Sequence, residues 1–188
     1  MITVDQLIKN LQKGQSSVRS SLIIAAMEQH YLSIKDKIKI AFAEHNNDGT
    51  TIYFKVPATD ENISYDVVFT ISTKNQITLK DVITLYSNSP FFIFNLAYVF
   101  NQQNGLMLKN KIPHKALTEK PKVRNPFEVT GFDKHIYSCL RLIWGIKLSE
   151  IVDQFKDKDK NKPPHISSFE EKVEEKRLLK ERNKLHKK

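Results

Sequence analysis

Residues 37–57 read KIKIAFAEHNNDGTTIYFKVP, and this stretch decides the fold class. Ile38, Ile40 and Phe42 alternate with Lys37, Lys39 and Ala41, and then Ile52, Phe54 and Val56 alternate with Tyr53 and Lys55. A period of two sends successive side chains to opposite faces of an extended chain, so each run predicts a half-buried strand. Between them, Asn46-Asn47-Asp48-Gly49 is a turn signal, with Asp-Gly supplying residues that tolerate positive φ. Pro57 ends the second strand, because it has no N–H to give to a ladder.

Downstream, Tyr65, Val67, Phe69 and Ile71 fall on one face of a third strand, and Val82 to Tyr86 offers a fourth. The predicted unit is an antiparallel meander with one apolar face, which something must cover. Ser87-Asn88-Ser89-Pro90 supplies the start of that cover, since Ser89 can cap a helix and Pro90 suits its first position. This helix is expected from Phe91 to Gln102, apolar on nearly every side and therefore buried. Its aromatic cluster (Phe91, Phe92, Phe94, Tyr98, Phe100) is read as core, because no Lys or Arg interleaves it as a base-stacking surface requires. Leu106-Met107-Leu108 is a candidate short edge strand, and Gly131 to Lys147 a helix with Ile136, Leu140, Ile143 and Trp144 on one stripe.

At the N-terminal side, Thr3 and Gln6 make a capping box ahead of Val4, Leu7, Ile8 and Leu11 at helical spacing, and Gly14 stops that helix. Ser16 or Ser17 opens a second helix whose apolar set includes Leu22, Ile23, Ala26, Met27 and Tyr31. At the other end, Lys156 to Pro164 contains no apolar residue and reads as a linker. Ser168 and Glu171 form another capping box, opening a charged helix to Leu185 whose apolar residues do not keep heptad spacing. The fold class is α+β, an antiparallel β-meander covered by helices, with N-terminal helices and a C-terminal charged helical extension. Its parts are N-terminal helices at 1–33, an α+β body at 34–155 with a basic loop at 102–124, and the polar linker and charged helix at 156–188.

Composition narrows the functions. With 188 residues, 40% of them apolar, the chain can bury a core without disulfide or metal. A single cysteine excludes a disulfide framework and a Cys-rich zinc site. Five glycines, in neither G-x-G-x-x-G nor G-x-x-x-x-G-K-[ST] order, exclude the phosphate-cradling nucleotide enzymes. The longest apolar run, Phe91 to Phe100, is half of what a bilayer crossing needs, and Met1-Ile2-Thr3-Val4-Asp5 lacks the pattern of a signal peptide. A soluble, intracellular protein without membrane contact is expected.

The net charge of +9 is uneven. Lys109, Lys111, Lys115, Lys120, Lys122 and Arg124 face only Glu119 within the basic loop. The tail carries Lys172, Lys176, Arg177, Lys180, Arg182 and Lys184 among interleaved acids. These twelve residues are the candidate partner-binding set. The functional reading of the tail is contact with a polyanion through phosphate neutralisation; the bland one is a solvated charged helix.

No catalytic constellation is found. His30, His45, His114, His135, His165 and His186 form no metal-binding pair and are expected at the surface. Cys139 lies within an amphipathic helix and reads as a small buried apolar residue. Asp60-Glu61, Glu44 and Asp48 lie in or near turns, where acids bond their own backbone. Glu170-Glu171 and Glu174-Glu175 favour a helix dipole. No cofactor, metal or catalytic residue is expected.

Tyr86-Ser87-Asn88-Ser89-Pro90-Phe91, then Ala97-Tyr98-Val99-Phe100-Asn101, Gly105-Leu106, Lys122-Val123-Arg124-Asn125-Pro126 and Gly131-Phe132-Asp133-Lys134 together resemble minor virion structural proteins of tailed bacteriophages. The likeness covers less than half of the chain. It implies a non-enzymatic structural and assembly component of a head, neck or tail, assembled in the host cytoplasm. Its partners would be other virion proteins, with the chain in multiple copies or a homo-oligomer, and packaged DNA within reach. The alternative is a DNA- or RNA-binding accessory protein using the basic loop and tail. An enzyme of unfamiliar type is the third reading.

Overall fold

The computed structural model describes residues 1–10, 17–58, 63–121, 131–156 and 163–185. Its centre is the expected meander: β2 (Lys39–Asn46), β3 (Gly49–Pro57), β4 (Ser64–Ile71) and β5 (Val82–Ser87). A two-residue strand, β1 (Ile2–Thr3), adds to β5, giving one antiparallel sheet in the order β1-β5-β4-β3-β2. Nothing in the periodicity of two residues announces β1. It forms because Ile2 and Val4 are wholly buried and Val4 N–H donates to Asp81 O at 3.1 Å.

The hairpin lies where expected, but its φ values do not. Asn47 and Asp48 form the loop while Gly49 takes positive φ, at +134°. A Cβ on Gly49 would lie 2.0 Å from Ile71 O, so only glycine fits there. The β2–β3 register slips between Ile40 and Phe42, leaving Ala41 as a bulge that bends the edge strand.

The sheet is buried on both faces rather than one. Ile52, Phe54, Val67 and Phe69 are at most 1% exposed, and so are Val68 and Tyr86, which pair across β4 and β5 on the opposite face. Each such side chain contributes roughly 1.5–3 kcal/mol, so the two layers dominate stability. Gly105 seals part of the β5 edge: Leu85 N–H donates to Gly105 O at 2.9 Å and Met107 N–H to Leu85 O at 3.0 Å. The expected strand at 106–108 is thus a single parallel bridge, Leu85 to Leu106.

Helices α1 (Val4–Asn10) and α2 (Ser17–Ile34) follow β1. The Thr3–Gln6 capping box forms reciprocally, at 2.9 and 3.2 Å. On α2 the inward stripe is Ile23, Ile24, Met27, Tyr31 and Ile34, whereas Leu22 and Ala26 of the expected set face outward.

The expected continuous helix after Pro90 divides into α3 (Pro90–Asn95) and α4 (Ala97–Gln102), with Leu96 at φ −118° between them. Ser89 caps α3 by accepting from Phe92 N–H. Phe92 and Phe100 enter the core, but Phe91 and Phe94 are 39% and 57% exposed, which corrects the reading of this run as wholly buried.

The basic loop holds a 3-10 turn (Lys109–Lys111) and α5 (His114–Thr118). Then come α6 (Lys134–Ile143), α7 (Leu148–Lys156) and α8 (Phe169–Leu185). Gly145, at φ +83°, turns the chain after α6, so the expected helix to Lys147 ends early and α7 begins. The reading of Gly14 and Asp60-Glu61 falls outside the described residues, as does most of the expected linker.

Gly49→Ala should lower the unfolding free energy by about 2–4 kcal/mol, measured by urea titration. A loss smaller than about 1 kcal/mol would mean that the turn relaxes and does not require this φ.

Candidate functional site

The first half of β4 and the exit of β5 position the C-terminal tail. Asp66 is fully buried, its side chain ion-paired with Lys55. Asn88 faces it twice: its Oδ1 accepts from Asp66 N–H at 2.8 Å, and its Nδ2 donates to Asp66 Oδ2 at 3.0 Å. Ser167 completes the clasp, donating its N–H to Asp66 Oδ2 at 2.9 Å. The Ser167 carbonyl accepts from Asn88 Nδ2 at 3.0 Å and from the Tyr86 hydroxyl at 2.9 Å. Burial, with the charges of Asp66, Glu170 and Glu171 behind it, pushes the Tyr86 phenol well above its ordinary range, so it remains a donor. Ser168 then opens α8 through the expected capping box with Glu171.

Held there, α8 lies on the body rather than beyond it. Phe169 meets Phe94 edge to face at 5.0 Å, and the Lys176 ammonium donates to the Tyr65 hydroxyl at 2.7 Å. Leu179 packs on Ala58, Ile63 and Tyr65. Between α8 and residues 113–121 opens a groove of about 650 Å³. Phe94, Pro113, Ala116, Pro121, Phe169 and Val173 give it apolar walls, with Val173 half exposed. Lys115, Glu119 and Lys120 stand on one rim, and Glu170 and Glu174 on the other.

The candidate partner-binding residues distribute unequally around this groove. Lys115 is well exposed, 3.7 Å from Glu119. Lys109 is exposed on its 3-10 turn, with Lys111 partly covered. Lys172 is buried to 7% exposure and donates to Glu175 at 2.6 Å. Arg177 bridges Glu174 at 2.6 Å and Glu181 at 3.5 Å. Lys122 and Arg124 lie outside the described residues. Lys180, Arg182 and Lys184 lie on α8, their side chains outside the described set. Phe94, Phe169 and Val173 are the groove residues that the charge pattern misses. For Phe94 the one signal is the phase of α3: with Phe92 and Ile93 turned inward, Phe94 faces out.

One cluster invites a catalytic reading and fails it. Asp133 Oδ2 accepts from the Ser89 hydroxyl and lies 3.7 Å from His135 Nδ1. The carboxylate therefore stands between serine and histidine, the wrong order for proton abstraction from a nucleophile. Ser89 is fully buried and its oxygen caps α3. Burial alone would raise the Asp133 pKa, but bonds from His135, the Ile136 N–H and Ser89 hold it below the usual carboxylate range. Cys139 is fully buried and its thiol is pushed well up by burial and by Asp133, so it is no thiolate nucleophile. His135, expected at the surface, is 5% exposed. On α6 it shares the inward face with Ile136 and Cys139. Among the described residues no group of three His, Cys, Asp or Glu could hold a metal, and no helix is long and apolar enough to cross a membrane.

Asn88→Ala should cost about 1–3 kcal/mol, since it orphans the Asp66 N–H and weakens the hold on Ser167. Hydrogen exchange should show residues 166–179 losing protection first. Unchanged protection there would mean that α8 is held by its side chains alone.

No family model, curated protein or solved structure matches the chain.

Proposed function

We propose that this protein is a non-enzymatic structural and assembly component of a bacteriophage particle, located in the virion, that acts by binding neighbouring protein chains. The phage setting follows the sequence resemblance. The binding mode follows the groove between α8 and residues 113–121, which is the observation that carries the reading.

Phe94 and Val173 are large apolar side chains left 57% and 50% exposed, and both line that groove. Apolar walls with a charged rim are the anatomy of a protein contact, where anchors sit at the centre and charges at the edge. The rim is mixed in sign, Lys115 and Lys120 against Glu170 and Glu174. A phosphate backbone is served by a surface of one sign, whereas a protein segment can satisfy both. On α8, Lys172 and Arg177 already spend their charges on Glu174, Glu175 and Glu181.

Phe94→Asp should cost about 1 kcal/mol of stability, the value of its ring pair with Phe169. It should nonetheless reduce incorporation into purified particles by roughly tenfold or more, as loss of a central anchor does. Quantifying the chain in virions reads this directly. Normal incorporation of the variant would overturn the proposal. So would a wild-type chain that purifies with nucleic acid until strong salt strips it away.

A further inference from the structure

Helix α2 carries two faces, and the body covers one of them. Ile23, Ile24, Met27, Tyr31 and Ile34 turn inward and are half-buried, with α6 as the chief neighbour. Every exposed residue from 21 to 33 is uncharged: Ser21, Leu22, Ala25, Ala26, Gln29, Leu32 and Ser33. At the pitch of an α-helix they share one arc of about 140°. Glu28, the carboxylate of this span, is turned the other way, its Oε2 accepting from the Tyr137 hydroxyl of α6 at 2.6 Å.

An ordinary surface helix sets charged residues opposite its apolar stripe, and 27% of this chain is charged. Helix α2 instead leaves Leu22 and Leu32 66% and 55% exposed on that side. A helix without a charged face is one with a neighbour on both sides.

The pattern also names the neighbour. Leu22, Ala25, Gln29 and Leu32 follow one another at spacings of three, four and three residues, the a and d positions of a heptad seam. The seam reads alike in both directions. Ser21 and Ser33, Leu22 and Leu32, and Ala25 and Gln29 stand at equal distances on either side of Met27. Two copies of α2 laid antiparallel across a two-fold axis therefore set leucine on leucine at both ends and the small Ala25 against the long Gln29 between them. The two Gln29 amides fall about 6 Å apart along the helices, within reach of one another across the axis. A chain of net charge +9 repels its own copy, and an uncharged face is where two copies approach most closely.

We propose that the outer face of α2 is a homotypic interface, on which a second copy of this chain packs its own α2 antiparallel about a two-fold axis. The interface shares no residue with the groove between α8 and residues 113–121, so one subunit can hold its copy on α2 and a different neighbour in the groove.

Sedimentation equilibrium of the full chain reads the dimer directly. The seam joins helices of 18 residues, each about 27 Å long, and falls short of the roughly 1,200–2,000 Å² of a standard interface. A reversible dimer is therefore expected, with a Kd on the order of 10–100 µM. Higher salt should leave it intact or tighten it, since screening relieves the repulsion between two positively charged chains. Leu22→Glu should weaken association by roughly a hundredfold, because the two-fold axis applies the change twice. Leu22→Glu combined with Leu32→Lys should restore it, each glutamate then facing a lysine of the other copy, whereas Leu22→Glu combined with Leu32→Glu should not. Both leucines are exposed in the single chain, so circular dichroism and thermal melting should not change. The proposal is overturned if the chain stays monomeric well above that concentration range, if its association ignores Leu22→Glu, or if the double variant with lysine fails to restore it. Loss of the fold in Leu22→Glu would mean that the chain covers this face itself, and overturns the proposal too.

Discussion

Burying an ionised carboxylate costs several kcal/mol unless its oxygens are paired, and Asp66 is fully buried on a central strand. Its position is tolerable only because Lys55 from β3, Asn88 from the end of β5 and Ser167 from the tail all converge on it. Remove any one and a buried group loses one of its partners, and the loss is felt through the bonds the others share. Three segments distant in sequence are thereby obliged to meet. The sheet, the entry to α3 and the start of α8 become one rigid body through a single side chain.

A second buried carboxylate extends that body. Asp133 caps α6 through the His135 and Ile136 N–H groups and takes the Ser89 hydroxyl with its other oxygen. Ser89 in turn caps α3. The N-termini of two helices are therefore joined by one serine–aspartate contact, and Asn88, which serves Asp66, is the residue immediately before that serine. The groove inherits its geometry from this pair of clasps: α3 presents Phe94 on one side, and α8 presents Phe169 and Val173 on the other.

Local chemistry was legible in the sequence, and pairing over distance was not. Strands β2 to β5 follow from alternation, the hairpin from its turn residues, and three helix starts from capping patterns that each span four residues. Asp66 shows the limit. Between Tyr65 and Val67 it occupies the outward position of an alternating strand, where a carboxylate normally meets water. It is buried because Asn88 and Ser167, 22 and 101 residues further along the chain, arrive to bond it. The same holds for β1, which is too short for any period, and for His135, whose burial depends on α2 crossing above it. By charge alone the twelve cationic candidates form one class. The structure separates Lys115, which stands at a groove rim, from Lys172, which is buried on the docked face of α8.

That separation bears on why the tail is charged at all. A helix needs an apolar stripe only where it touches the body, and α8 touches it through Phe169, the stem of Lys172, Lys176 and Leu179, at helical spacing. Long basic side chains can lay their methylenes along apolar surface while keeping the ammonium partnered. Lys172 and Lys176 do this, with Glu175 and the Tyr65 hydroxyl as their partners. Much of the apparent basicity of α8 is thus consumed in docking it. What remains on the groove side of the helix is Glu170, Val173 and Glu174, an acidic and apolar edge set opposite Lys115, Glu119 and Lys120. The net positive charge of the tail and the character of its accessible surface are therefore different quantities, and a partner meets the second.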